Sequence, residues 1–561
     1  MAEEELPEAV EVEEDELPGL VGFIKSKFLD AETGRLSDER RWLTAYKNYR
    51  GIYDTASTYR SSEKSKVFVR ITKVKVLASF GQISDILFAN NKFPITVSNT
   101  PIPEGIAEFA HLATPEEQMM MNQAGNVPLS QLDDFLGGLK EKYAAAQNLK
   151  EGPSVIPGSP QIEPAAIAAR NMEKQIHDQL LDTNATNVLR HAIFESSLLG
   201  TGIIKGPFNF DKIVHNWKIE DGEKVFEPYV KTVPKIEAVS CWNFYPDPSA
   251  TNIEDAEYVI QRHRYNREQL RELANRPFFN EDAIESALEN GPQYEERYFE
   301  NTIYSENEDP LYSESRYEVF EYWGTLDLYL AREIGLELPD NITHMDSVQI
   351  NAWVVNNKVI RCVLNPFVPA RLPFHAFPYE LNPYQFFGVG VAENMEDAQL
   401  LMNGHMRMAI DNLALAGNMV FDIDETQLVP GQNMEVYPGK IFRRQSGVTG
   451  TAVNGLKFPN TAPENLQMYQ AARQLADEET GIPSISHGQT GVTGTGRTAA
   501  GLSMIMGSAG LSIKTVVKNI DDFLLRPLGE AFFQWNMQFN DDNAEIMGDL
   551  EIKPRGVASV M

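Results

Sequence analysis

The chain holds only two cysteines, Cys241 and Cys362, in 561 residues. That scarcity excludes a disulfide framework and any zinc centre built from four thiolates. Basic residues are also few: 49 Lys and Arg stand against 80 Asp and Glu, a formal net charge of −31. So acidic a body repels polyanions over a Debye length, which excludes general nucleic-acid adhesion but allows DNA to slide past. No apolar run reaches membrane-spanning length, and residues 1–19 carry nine acidic side chains and no basic one, unlike a signal or transit peptide. The chain therefore reads as a soluble protein made in a reducing cytoplasm. Catalytic patterns are missing too. There is no GxSxG, HExxH or EF-hand loop. His263, between Arg262 and Arg264, and His375, after Pro373-Phe374, lack partners at metal-ligand spacing and read as structural. Asp422, Asp424 and Glu425 read as a solvated strand end. No catalytic residue, metal or cofactor is expected.

Apolar residues make up 42% of the chain and aromatics 10%, enough for a folded protein of two to four domains. The most informative stretch is Thr480–Phe539. A loop with Gly488, Gly491, Gly494 and Gly496 leads into a long run with apolar residues at three-four spacing, from Leu502 through Ile513, Val517, Leu524 and Phe532 to Phe539. Forty-odd helical residues would span roughly 60 Å, the length of a girder in a large assembly. Pro527 cannot donate to the carbonyl of Phe523, so a kink is expected there. A phosphate-loop reading of Gly494-Thr495-Gly496 fails, because no hydrophobic strand precedes it and no Lys-Ser/Thr pair opens the helix.

Elsewhere the patterns predict a helix after Ser37, one in the second half of 67–90, a short strand over 93–97, and a loose insertion over 100–165 with a helix at 133–147. One long helix is expected over 164–199, then a hairpin around Asp221-Gly222. Asn266 and Asn280 each cap a short helix, and on the second Glu281, Glu285 and Glu289 recur four apart. Such like-charge stacking is locally unfavourable, so something other than helix stability must favour it. Strands follow at 317–323, 348–355 and 358–364, the last two around Asn356-Asn357. A helix over 391–415 is rich in small residues, among them Ala398, Gly404, Ala409 and Ala414, as packing against neighbouring copies would require. The opening of 550–561 is strand-like with no evident continuation.

Several segments, in order, carry a likeness to a known family. They are Ser196-Ser197-Leu198-Leu199-Gly200-Thr201-Gly202, then Trp242-Asn243-Phe244-Tyr245-Pro246-Asp247-Pro248, then Glu321-Tyr322-Trp323-Gly324. Pro373-Phe374-His375-Ala376-Phe377, Phe387-Gly388-Val389-Gly390-Val391, Leu400-Leu401-Met402-Asn403, Gly496-Arg497-Thr498-Ala499-Ala500-Gly501 and Lys553-Pro554-Arg555-Gly556 follow. Over residues 38–561 the chain resembles the portal, or head-to-tail connector, proteins of short-tailed double-stranded DNA bacteriophages.

The resemblance implies an α+β portal fold with a mixed wing, a helical stem and an α/β clip. An acidic disordered arm would occupy 1–37. The wing would hold 38–262 and 418–540, with a tunnel loop at 482–496 and the kinked helix over 497–540. The stem helices would be 263–276 and 391–417, and the clip 277–390. Residues 541–561 would begin a helical crown, continuing past Met561. The implied function is a dodecameric ring at the portal vertex of the virion, made in the host cytoplasm, through which DNA is packaged and later ejected. Implied partners are other copies of the chain, the terminase large subunit, head–tail adaptor and tail proteins, major capsid and scaffolding proteins, and the DNA in the channel; no membrane is implied. His487, Gln489, Thr493, Arg497 and Arg407 are the candidates to face DNA, with a ring-interface salt bridge open for the two arginines. Glu281, Glu285, Glu289, Glu295 and Glu296 are the candidates for docking motor or tail, with a merely solvated face open. The competing readings are a non-portal adaptor or scaffold-type structural protein and a nucleotide-dependent enzyme using 488–496.

Overall fold

The computed structural model describes residues 18–53, 64–88, 93–99, 164–215, 217–220, 223–304, 316–336, 338, 347–418, 420–437, 439–447, 449–484, 512–540 and 550–555. Two compact units emerge: one from residues 1–43, 77–390 and 498–561, the other from 44–76 and 391–497. Their boundaries fall inside helices α2 (Leu36–Arg50) and α3 (Ile71–Phe88) and just before the helix that starts at Val391.

The first unit is organised by an antiparallel sheet of β6 (Phe244–Pro246), β7 (Tyr258–Tyr265), β8 (Tyr317–Asp327), β9 (Ser347–Val355) and β10 (Lys358–Leu364), in the spatial order β10-β9-β8-β7-β6. Its strands alternate, apart from a register shift in β10 between Val359 and Arg361, but both faces are apolar, because helices cover both. Tyr258, Ile260, Phe320, Tyr322, Ile350 and Val354 point to one face, where α1 (Pro18–Gly34) inserts Leu20, Ile24 and Phe28. Val319, Trp353, Val355 and Ile360 point to the other, under α6 (Arg267–Ala274) and α7 (Glu281–Glu289); the short helices α8 (Glu300–Tyr304) and α9 (Leu328–Glu333) flank β8 in the chain. The β9–β10 turn places Asn356 and Asn357 at positive φ, which asparagine tolerates best among residues with a side chain.

Two expected divisions fail here. Residues 18–37 are not part of a disordered arm, since α1 buries an apolar face in the core. The helix expected over 263–276 begins only at Arg267. β7 runs to Tyr265 and pairs with β8 along its whole length, and the following helix has only eight residues. Asn266 is the N-cap that the sequence predicts, and the structure adds a capping box with Gln269.

A second sheet joins β2 (Thr201–Val214), β5 (Tyr229–Val239) and β11 (Phe374–Pro378) in the order β11-β2-β5, and the tip of the β2–β5 hairpin carries β3 (Trp217–Glu220) and β4 (Glu223–Phe226). The helix expected over 164–199 is two, α4 (Pro164–Asp182) and α5 (Ala185–Leu199), because Asn184 takes a left-handed conformation between them. The C-terminal strand β14 (Leu550–Pro554) does continue the fold: it pairs with β1 (Ile95–Asn99), and the two pack on the helix after Pro527. That helix is α over 512–520, π-helical over Asp521–Leu525 and α again as α13 (Arg526–Phe539). The Arg526 N–H bonds to the Asp521 carbonyl five residues back, so the proline ring meets no demand for an N–H and the expected break takes the form of a π-turn.

In the second unit α10 (Val391–Asn394) and α11 (Glu396–Gly417) pack against α12 (Ala462–Thr480), with Met395, Ala398, Met402, Ala472 and Ala476 at the seam. β12 (Val420–Ile423) and β13 (Val453–Leu456) form a hairpin beside them in sequence. The loop residues 485–496, the insertion at 100–163 and residues 498–511 lie outside the described residues.

Candidate functional site

Helix α7 presents the acidic stripe cleanly. Its N-cap Asn280 accepts from the Ala283 N–H at 3.0 Å, and Ala283, Ile284, Ala287 and Leu288 face the sheet. Glu281, Glu285 and Glu289 are therefore on the opposite side, all exposed. Glu295 and Glu296 are also exposed, but Glu295 takes a hydrogen-bonded ion pair from Arg297 at 2.8 Å, which holds its carboxyl below the usual range. The stripe and Glu296 thus form an outward acidic surface, and Glu295 is partly neutralised.

A buried charge network that the sequence did not reveal fixes this region. Arg262 donates to Glu300 at 2.5 Å, to Glu318 at 2.5 Å and to the Glu295 carbonyl at 2.8 Å. Burial opposes its charge, but Glu318 and Glu300 outweigh that and raise its pKa. Beside it, Glu321 accepts from Lys205 at 2.5 Å, His263 at 2.7 Å and the Trp323 indole at 2.7 Å. Burial would raise its pKa, yet Lys205 and His263 hold it well below the carboxylate range. His263 is stacked on Trp353, and His375 is bonded to the Gly206 carbonyl and pushed down to about 4 by burial. Both histidines have structural partners. Among the described residues, no group of three or more His, Cys, Asp or Glu is placed to hold a metal ion.

The polar side of α11 has a different use from the one its composition suggests. Gln399, Asn403 and Asp411 fall on one stripe and bind residues 64–72, the segment that leads into α3 and its first turn. Gln399 accepts from the Thr72 N–H and hydroxyl and donates to the Val69 carbonyl. Asn403 accepts from the Val69 N–H, and Asp411 from the Lys64 and Ser65 N–H groups. Arg407 belongs to the same stripe. It is 4% exposed, with its guanidinium 4.9 Å from the Tyr53 ring centre. This placement favours a packing role over contact with a polyanion. Of the small residues expected to admit close neighbours, Ala398 and Ala409 are buried within the unit, while a side chain at Gly404 would meet nothing.

At the far end of α12, Lys75, 0% exposed, ion-pairs Asp477 at 2.5 Å and also donates to the Ile482 carbonyl. Asp477 in turn accepts from the Ser484 N–H at 3.0 Å and its hydroxyl at 2.7 Å. The chain leaving α12 toward the glycine-rich loop is therefore anchored at two successive points. His487, Gln489, Thr493 and Arg497 lie outside the described residues. Asp424 N-caps the short turn Glu425–Gln427, in keeping with a strand end.

Buried ion pairs thus tie distant segments together, one face is acidic and outward, and the chain is held at Ile482 and Ser484 as it leaves α12. A family model described as phage SU10 portal protein matches residues 170–557. The chain belongs to that family, and it is a phage portal protein.

Proposed function

We propose that the chain is the subunit of a ring at the portal vertex of the virion, through which a terminase packages double-stranded DNA and from which DNA is later released. The observation that carries this reading is membership of the portal family over 170–557. The net charge of −31 supports it physically: an acidic wall offers a passing polyanion few ion-pair wells in which to stall. Residues 482–496 are assigned to the channel wall, with His487, Gln489, Thr493 and Arg497 as the groups nearest DNA. The 391–417 helix serves as a stem element. The sheet and α7 form the part that meets motor and tail, with Glu281, Glu285, Glu289 and Glu296 facing basic surfaces on the terminase or adaptor. Capsid and scaffolding proteins are the partners at the vertex.

The purified protein is expected to form a particle of about 760 kDa, twelve copies of a 63.0 kDa chain, with a central opening in negative-stain images. A compact dimer at every concentration would overturn the ring and favour an adaptor.

A further inference from the structure

Charge is divided unevenly between the two units. The second, residues 44–76 and 391–497, holds 15 Lys and Arg against 14 Asp and Glu, so the whole excess of −31 lies on the first. Within the second unit the cations gather in one place. Residues 44–76 alone hold eight of them against two acidic residues, and no acidic residue occurs from Lys64 to Val76. Lys64, Lys66, Arg70 and Lys73 are all exposed. Among the described residues none of these four is in an ion pair; Lys73 lies 5.9 Å from the Tyr49 ring centre, a contact that leaves its charge in place.

The main chain that carries these cations is clamped to α11. The N–H groups of Lys64, Ser65, Val69 and Thr72 and the Val69 carbonyl are bonded to its side chains at 2.6–3.1 Å. Asp411 lies against the row, but its two oxygens accept from the Lys64 and Ser65 N–H groups. Four like charges held close together are unfavourable unless an anion from outside meets them. Because the clamp already orders the segment, an anion binds there without the entropy cost of fixing a loop. The make-up of the row selects the anion. A protein partner needs an apolar centre in its interface, and from Lys64 to Lys73 only Val67 is an exposed large apolar side chain. Lys and Arg presented without such a centre are how proteins hold the phosphate backbone of a nucleic acid, whatever its base sequence.

We infer that residues 64–73 form a phosphate-binding strip, on which Lys64, Lys66, Arg70 and Lys73 hold the backbone of double-stranded DNA. This rests on the DNA-handling part of the reading above and deepens it. The test measures binding of the full chain to a fluorescent duplex of about 30 base pairs by anisotropy, between about 50 and 200 mM salt. The wild type is compared with Lys64→Gln/Lys66→Gln/Lys73→Gln and with Lys25→Gln/Lys231→Gln/Lys457→Gln, which removes the same charge at exposed positions elsewhere. Circular dichroism follows folding. The wild type and the control variant are expected to bind alike. The strip variant should bind at least about tenfold more weakly at low salt, with a salt slope shallower by about one per lysine. Lys66→Gln alone, with a slope change of about one, decides the matter if the triple variant fails to fold. Equal losses in the strip and control variants, or no binding by the wild type at the lowest salt, overturn the strip. Strip-dependent binding of a peptide spanning 1–17, with none of the duplex, overturns DNA as the ligand in favour of an acidic protein segment. Negative-stain imaging of the same samples reads the ring separately. Rings without strip-dependent DNA binding overturn the strip alone, and strip-dependent binding without rings overturns the ring and leaves the strip standing.

Discussion

Gly200 adopts φ +98°, and a Cβ there would lie 2.3 Å from the Gly388 carbonyl oxygen and 2.9 Å from the Gly390 nitrogen. Two glycine motifs far apart in sequence thus meet backbone to backbone, with Gly388 N also donating to the Thr201 hydroxyl at 2.9 Å. Gly200→Ala is expected to cost about 3 kcal/mol or more, read from the urea midpoint, because both the φ angle and the contact forbid a side chain. An unchanged midpoint would show that the two segments can separate freely. Glu195 supplies a pH dependence. Burial pushes its carboxyl up to about 7, against hydrogen bonds from Ser240 and the Cys241 N–H. A raised value means the folded state holds the proton more tightly. The stability it brings is complete below the ordinary value of 4.5 and is lost as pH rises through about 7. Glu195→Gln should therefore flatten the loss between pH 5 and pH 8, by up to ~3 kcal/mol. Parallel pH profiles for the two proteins would rule Glu195 out as the source.

Among the elements, α11 and the chain leaving α12 show polar groups working as internal fasteners. Lys75 is buried, and burial lowers its pKa while Asp477 opposes that shift. Removing one partner strands a buried charge. Asp477→Leu is expected to destabilise the second unit by about 3–5 kcal/mol, and Lys75→Met/Asp477→Leu by much less. Denaturant unfolding of these two variants, of Lys75→Met and of the wild type measures the coupling, and a double-variant loss equal to the sum of the two single losses would mean that the pair is not coupled. Short-range chemistry made several elements legible: the N-caps at Asn266 and Asn280 and the Asn356-Asn357 turn all fall where the sequence put them. The break at Asn184 was missed because apolar spacing on α4 and α5 continues across one left-handed residue. The π-turn before Pro527 is a geometric answer to a proline that sequence marks only as a disturbance.

On the scale of the whole molecule, the acidic face of α7 is the feature most open to a direct experiment. Glu285→Lys/Glu289→Lys should leave folding intact, since both side chains are exposed. It should weaken binding to the terminase large subunit at least several-fold at low salt, an effect fading as ionic strength shortens the Debye length. Equal affinity at low salt would leave the stripe a solvated face only.

Composition, periodicity and ordered motifs were enough to determine that this is an acidic α+β portal-family chain with a solvent-facing glutamate stripe, because charge totals and local spacing survive without knowledge of long-range contacts. Tertiary structure decided what those residues touch. It drew residues 18–34 into the core, extended one sheet across an expected domain boundary, turned the polar side of α11 inward onto 64–72 and buried Arg407. Each outcome depends on partners distant in sequence. Whether a polar side chain faces water or a buried backbone is fixed by which strand or segment the fold lays against it, and spacing along a single helix carries no record of that choice.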